Sequence, residues 1–222
     1  YLKEKSPIIS TKVKSYGICS MVFKGDLYLS VTGKKGNAQL LIFQKNEKGY
    51  RLIKNQLLSI ETKNEGCVFN KKTGDLFIAE ESRGLWKWEH SKQGQVYKNK
   101  DLIAEIPNFD LSSDLEGVTT YDSDGVSFLI VSVQSKNTFA VFDLEVPHRY
   151  RGQFSIGNDG SDSDVDGVTH TDGIASTSFN LGPLYPMGLL VVQDDQNIDG
   201  LRGSVGQNFK LVSWETILLQ FN

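Results

Sequence analysis

The chain has 222 residues, a formal net charge of −3, and 39% hydrophobic and 23% charged residues. This composition is ordinary for a globular domain and is too apolar for intrinsic disorder. The net negative charge and the lack of any basic run longer than two residues argue against a nucleic-acid partner. No stretch approaches the roughly 18 apolar residues that a membrane span needs.

Four segments of the chain begin alike, with one residue before a repeated glycine, and their starts lie 49, 51 and 56 residues apart. They are Tyr16–Cys19, Glu65–Val68, Glu116–Thr119 and Asp172–Ala175. Short runs rich in β-branched and aromatic residues follow each start, and turn signals such as Lys24–Asp26 separate them. No long window has the period of an amphipathic helix. A repeat of about 50 residues with four strands per unit is typical of propeller blades.

The repeat predicts an all-β fold, a β-propeller with about four four-stranded blades. We expect one domain over residues 1–222, with blades at about 16–58, 65–106, 116–157 and 172–222. The run Pro7–Lys14 is predicted to be an outer strand. It either closes a four-bladed ring or belongs to a preceding blade, and we favour the second.

Acidic residues recur at one position of the repeat. The residue before the glycine is Tyr16, Glu65, Glu116 and Asp172 in turn, and Asp114 lies close by. Because the first strand of a blade lines the central channel, these acids are expected to converge, and burying them unpaired is costly. A hard divalent cation removes that cost, and oxygen ligands select calcium or magnesium over zinc. Alternatively, each acid caps a turn or pairs with a nearby lysine.

Two further features point to chemistry more weakly. The segment Asp159–Gly167 begins like an EF-hand loop, but Gly173 stands at the twelfth position, where that motif needs glutamate. We therefore expect either a looser calcium loop or a solvated acidic turn. The two cysteines, Cys19 and Cys67, are too few to define a disulfide framework and are predicted to be buried thiols.

Many motifs resemble those of the β-propeller phytases, in the same order, from about Tyr16 to the C-terminus. They are Asn64–Cys67, Gly74–Glu81, Asp114–Thr119, Ser132–Asn137, Asp166–Ile174, Gly188–Asp194, Asn197–Asp199 and Gln207–Trp214. The resemblance implies a six-bladed propeller, secreted or periplasmic, that releases phosphate from phytate (myo-inositol hexakisphosphate) or other inositol phosphates. It also implies several calcium ions and attack by a calcium-bound water, with no covalent nucleophile.

The resemblance further implies roles for single residues. The calcium ligands of the active centre would be Glu65, Glu81, Asp114, Glu116 and Gln134. The phosphate contacts would be Tyr16 and Lys34, which complete the expected catalytic set. Asp166 would lie beside the active-site calcium. The structural or linking calcium sites would involve Asp172, Asp194 and Asn197.

The sequence departs from the family in ways that keep other functions open. Lys35 stands where the family has an acid, and so does His170. The family's first two blades have no counterpart, so we expect the C-terminal two-thirds of a longer protein that is monomeric when complete. A naturally shortened homologue is the alternative. A propeller that binds calcium and phosphorylated ligand without turnover, or one used only for protein interaction, also remains possible.

Overall fold

The computed structural model describes residues 9–91, 96–109, 111–123, 125–157, 166–199, 203–204 and 206–221. In these residues the regular structure consists of strands, one 3-10 turn and one short helix. The predicted all-β propeller is confirmed, with its blades in chain order. No helix in this part of the chain is long and apolar enough to cross a membrane.

Three blades are four-stranded antiparallel sheets whose strands pair in chain order. The first contains β1 (Ser15–Phe23), β2 (Asp26–Gly33), β3 (Ala38–Asn46) and β4 (Gly49–Leu58). The second contains β5 (Asn64–Phe69), β6 (Leu76–Glu80), β7 (Gly84–Ser91) and β8 (Val96–Glu105). The third contains β9 (Leu115–Ser123), β10 (Val126–Val133), β11 (Thr138–Asp143) and β12 (Tyr150–Phe154), with the 3-10 turn Gln134–Lys136 between β10 and β11.

The fourth blade differs from the other three. Its sheet has three strands in the order β13 (Ile174–Thr177), β14 (Leu189–Asp194) and β17 (Asn208–Ser213). A small ribbon of β15 (Ile198–Asp199) and β16 (Gly203–Ser204) lies between β14 and β17, and α1 (Trp214–Leu218) follows. The outer strand predicted before the first blade is wrong over residues 9–14, which form no strand, and Pro7 and Ile8 lie outside the described residues.

The hydrophobic core lies between successive blades, because each sheet presents apolar side chains to its neighbour. One cluster, around Tyr28 and Leu76, joins the first two blades, and a second, around Phe77 and Leu129, joins the second and third. The third cluster centres on Trp214, which is fully buried and stacks on Tyr121 with ring centroids 3.9 Å apart. The helix that follows β17 therefore packs against the third blade.

A β-bulge lies at the start of the inner strand in each of the first three blades. In β1, Tyr16 and Gly17 together oppose the single residue Thr32, because Ser15 pairs with Gly33 and Ile18 with Val31. The same irregularity occurs in β5 and in β9, at the other two repeated pairs. A bulge bends a strand and re-aims a side chain. The repeat seen in the sequence is therefore a repeated bulge at one end of the channel.

The glycine of each bulge is required because the next blade approaches it closely. A Cβ built on any of these three glycines would lie 2.4 Å or less from a main-chain oxygen of the neighbouring blade. The contacts are Gly17 with Glu65, Gly66 with Glu116, and Gly117 with Asp172. The carbonyl group of each acid of the repeat thus lies against the bulge glycine of the preceding blade.

Side-chain hydroxyls reinforce the same junctions. Thr32 accepts a hydrogen bond from the Gly17 N–H at 2.9 Å and donates one to the Glu65 carbonyl at 2.6 Å. Ser132 occupies the corresponding place in the third blade and accepts from the Gly117 N–H at 2.8 Å. The bulges, and hence the side chains that they carry, are fixed by bonds between blades as well as within them.

The prediction of two buried thiols is wrong, because Cys19 and Cys67 form a disulfide. They lie on the inner strands β1 and β5, with Cα atoms 5.7 Å apart. The inner strands β1 and β5 lie side by side, so residues one repeat position apart on the two strands come within disulfide reach. The bond links the first two blades at the channel.

The disulfide is expected to stabilise the fold by about 4 kcal/mol, because it closes a loop across a sequence separation of 48 residues. The double variant Cys19→Ser/Cys67→Ser should unfold at correspondingly lower denaturant concentration than the native protein, as followed by circular dichroism. Dithiothreitol should lower the stability of the native protein and leave that of the variant unchanged. Equal stability of the two oxidised proteins would contradict this role.

Candidate metal centre

Three carboxylates converge at the bulged end of the channel. Glu65 and Glu116 are bulge residues of β5 and β9, and Glu81 directly follows β6. Each offers an oxygen, and the three oxygens lie within 4.8 Å of one another. Glu116 is 3% exposed and Glu81 is 8% exposed. Glu65 and Glu116 therefore meet, as their shared repeat position predicts, and together with Glu81 we call them the glutamate cluster.

The glutamate cluster holds more negative charge than its surroundings neutralise. Burial, together with the neighbouring Glu65 and Glu81 carboxylates, raises the pKa of Glu116 to about 9. Burial also raises the pKa of Glu81. Glu116 Oε2 is buried and has no hydrogen-bond partner among the described residues. A hard cation with oxygen ligands would satisfy both the charge and this oxygen, so the donor set fits calcium.

Lys63 also lies at the glutamate cluster, and the sequence analysis did not identify it. Its ammonium forms an ion pair with Glu81, lies 3.9 Å from a Glu116 oxygen, and sits 4.7 Å from the centroid of the Tyr16 ring. Burial alone lowers the pKa of Lys63, but hydrogen bonds to Glu81 and Tyr16 raise it above its usual range. The available signal was its place two residues before Glu65, since alternate residues of an extended chain share a face.

Adjacent glutamates at the end of β6 have different surroundings. Glu80 accepts hydrogen bonds from the Thr62 N–H at 2.6 Å, from the Thr62 hydroxyl at 2.8 Å and from the Trp86 indole N–H at 2.7 Å. Its carboxylate is therefore fully engaged with the protein. Glu81 instead contributes an oxygen to the glutamate cluster and forms an ion pair with Lys63. Glu80 thus belongs to the scaffold, and Glu81 belongs to the site.

Asp114, Gln134 and Asp172 extend the site toward the fourth blade. The Asp114 N–H donates to the Glu81 carbonyl at 2.9 Å, and the Gln134 N–H donates to the Asp114 carbonyl at 2.9 Å. The Gln134 side-chain amide donates to the Asp172 carboxylate. Burial raises the pKa of Asp172, as does the charge of Glu65. Asp172 therefore borders the glutamate cluster, as its repeat position predicts, and its role at a structural or linking calcium site stays a prediction.

Asp166, Asp194 and Asn197 lie together around Lys210. The Lys210 ammonium forms an ion pair with Asp166, lies 3.2 Å from Asp194 Oδ2, and donates to Asn197 Oδ1 at 2.7 Å. Asp194 is fully buried, and its other oxygen accepts from the Thr169 N–H at 3.0 Å. We call these four residues the Lys210 cluster. Asp166 pairs with Lys210 here, and its predicted place beside an active-site calcium and metal binding by this group both stay predictions.

The remaining predicted residues are exposed. Lys34 and Lys35 are exposed, and the Lys34 ammonium lies 5.0 Å from the centroid of the Tyr16 ring. Tyr16 is therefore flanked by two lysines, Lys34 and Lys63, which gives this edge a positive charge suited to phosphate. His170 is exposed, and its N–H donates to Asn137 Oδ1. Residues 159–165 of the predicted calcium loop lie outside the described residues.

The chain is similar in sequence to known proteins. A sequence model of the family described as Phytase matches residues 2–222. Over 196 aligned residues the chain is 37% identical to a 3-phytase of Bacillus subtilis (strain 168). The alignment covers 87% of this chain and 50% of that protein. The chain therefore spans about half the length of the curated relative that it matches.

Solved structures of other proteins share the fold. A luciferin-regenerating enzyme superposes with a TM-score of 0.56 at 12% identity, over 89% of this chain and 61% of the other. An auxiliary nutrient binding protein from Bacteroides thetaiotaomicron VPI-5482 superposes with a TM-score of 0.52 at 8% identity, over 89% of this chain and 48% of the other. At such identities the likeness concerns the fold alone.

Proposed function

We propose a function from one premise, which is that this chain belongs to the phytase family, whose sequence model matches residues 2–222. The proposed activity is calcium-dependent hydrolysis of phosphate monoesters of phytate. The observation that carries it is the glutamate cluster, with three carboxylate oxygens within 4.8 Å of one another and a buried Glu116 oxygen without a partner. The relative named 3-phytase supports phytate as the substrate.

The residues of the chain divide the chemical work. Glu65, Glu81 and Glu116 would hold calcium, with Asp114 and Gln134 beside them. Bound calcium would neutralise the phosphate charge and make a water molecule more acidic, so no covalent nucleophile is required. Lys34 would orient a substrate phosphate by charge, since it is exposed and its ammonium lies 5.0 Å from the centroid of the Tyr16 ring.

A second candidate function is calcium-dependent binding of phosphorylated ligand without turnover. Lys35 supports it, because this exposed lysine stands where the resemblance places an acid. A cation in that place removes one oxygen ligand and repels a nearby metal ion. This candidate keeps the glutamate cluster and the lysines at Tyr16, and it loses only catalysis.

We also propose that the protein works outside the cytoplasm, in a secreted or periplasmic location, as a monomer. The Cys19–Cys67 disulfide supports the location, because such bonds persist in oxidising compartments and are rare in the cytosol. A fluorescent-tag or fractionation experiment that recovers the protein only from the cytoplasm would overturn this location.

The test of the proposed activity is phosphate release from phytate by the protein expressed from its complete gene. Release should occur in calcium, stop when a chelator is added, and return when calcium is restored. Calcium-dependent phytate binding without release would select the second candidate. Release that continues in chelator would overturn the calcium requirement. Neither release nor binding in calcium would overturn both functions.

A further inference from the structure

Lys63 occupies a place at the glutamate cluster where a metal ion would compete with it. Its side chain is 33% exposed, whereas those of Glu81 and Glu116 are 11% and 4% exposed. The ammonium therefore reaches from the solvent side into a mostly buried group of carboxylates. It contacts Glu81 directly and lies 3.9 Å from Glu116.

The cation and the carboxylates depend on each other. The buried Glu81 and Glu116 each offer a carboxylate oxygen, and these oxygens lie within 4.8 Å of each other. Two negative charges this close repel strongly, and a nearby cation offsets that repulsion. Among the described residues, the ion pairs found at the glutamate cluster are those of Lys63 with Glu81 and Glu116. The main-chain carbonyl of Lys63 also accepts from the Glu81 N–H at 3.1 Å, which fixes the two residues side by side.

Calcium and the Lys63 ammonium would draw on the same carboxylate. Calcium takes six to eight oxygen ligands at about 2.3–2.6 Å, and Glu81, which the ammonium contacts, is one of the three residues that offer an oxygen. An ammonium and a divalent cation at such short range also repel each other, so each weakens the binding of the other. The Tyr16 ring, 4.7 Å from the ammonium, offers the side chain a second contact that does not involve a carboxylate.

We propose that Lys63 is a resident counter-cation of the glutamate cluster, which holds the carboxylates together without metal and competes with calcium for Glu81 and Glu116. This inference rests on the proposed function only in taking calcium as the competing ion. Lys63 thereby sets the calcium concentration at which the site fills. Its position differs from that of Lys210, which is buried among its partners.

The test is calcium binding to the protein expressed from its complete gene, measured by isothermal titration calorimetry beside melting temperatures in chelator. Lys63→Gln should bind calcium at least about tenfold more tightly than the native protein, because the competing charge is gone. In chelator the same variant should melt at a lower temperature than the native protein, because the carboxylates lose their counter-ion. Calcium should therefore raise its melting temperature by more.

Two control variants separate this effect from a general change of charge. Lys63→Arg keeps a cation at the cluster and should bind calcium with native affinity. Lys45→Gln removes the same charge from an exposed lysine at the end of β3, away from the site, and it should tighten binding by less than about threefold, because exposed charges are screened. If Lys45→Gln and Lys63→Gln tighten calcium binding equally, the inference is overturned.

The remaining outcomes distinguish failure of this inference from failure of the proposed activity. Native calcium affinity in Lys63→Gln would overturn the inference and leave the proposed activity standing. Tighter calcium binding in Lys63→Gln without phosphate release by any variant would support the inference and overturn the enzyme. Failure of every variant to bind calcium would overturn both. If Lys63→Gln folds only in calcium, the chelator concentration at half-unfolding replaces calorimetry, and more chelator should be needed to strip its metal.

Discussion

Glu81→Gln should reduce calcium-dependent phosphate release from phytate by about 100- to 1000-fold, whereas Glu80→Gln should leave the rate intact and reduce stability. Loss of one charged group from a preorganised site typically costs a factor of this size. Glu81 contributes an oxygen to the glutamate cluster, and glutamine keeps its shape without its charge. Metal-free stability of Glu81→Gln should stay near that of the native protein, because a buried repulsive charge is removed together with an ion pair.

The neighbouring variant should have the opposite phenotype. Glu80 accepts three hydrogen bonds, from two groups of Thr62 and from the Trp86 indole. A glutamine there turns one acceptor into an N–H donor that faces another donor, which should cost about 2–3 kcal/mol of unfolding free energy. Both variants are compared by urea unfolding and by phosphate release at saturating calcium. Full activity of Glu81→Gln, or its loss in a folded Glu80→Gln, would contradict the assignment of the two residues.

Lys210→Met should lower the free energy of unfolding by about 3–5 kcal/mol, because removing one partner of a buried ion pair leaves an uncompensated charge. Asp194 is fully buried, and it would keep its charge beside Asp166 without the ammonium between them. Methionine retains most of the volume of lysine, so packing changes little. Urea unfolding in chelator measures the loss.

An exposed lysine gives the matched control for this change. Lys45→Met, at the solvent-facing end of β3, should alter stability by less than about 0.5 kcal/mol. Added calcium that restores Lys210→Met would support the prediction that Asp166, Asp194 and Asn197 can hold a metal. A variant as stable as the native protein in chelator would show that the Lys210 cluster contributes no net ion-pair stability.

The fold was predictable because the chain repeats itself, and the disulfide was not. Strand-like runs and glycine turns recur at nearly equal spacing, and each recurrence became a blade. The pairing of Cys19 with Cys67 depends on the side-by-side placement of β1 and β5, which local sequence does not encode. The strand assigned before the first blade was wrong for the related reason that an apolar run forms a strand only when a neighbouring edge is available to pair with it.

The acids of the site were predictable, and their partners were not. Glu65 and Glu116 share a repeat position, so their convergence follows from propeller geometry. Lys63 lies outside that repeat, and its contact with Glu81 depends on how residues 59–63 enter β5. The sequence analysis left open both a metal ion and a nearby lysine as the counter-charge, and the structure places a lysine beside the acids.

The bulge position combines a fixed main chain with a variable side chain. The carbonyl groups of Glu65, Glu116 and Asp172 each lie against a glycine of the preceding blade, and this main-chain contact does not involve the attached side chain. The side chains at these positions can therefore be exchanged while the main chain of the propeller is kept. Exchanging the residues there, with every adjoining glycine retained, would retune which ions and anions the channel mouth selects without redesigning the propeller.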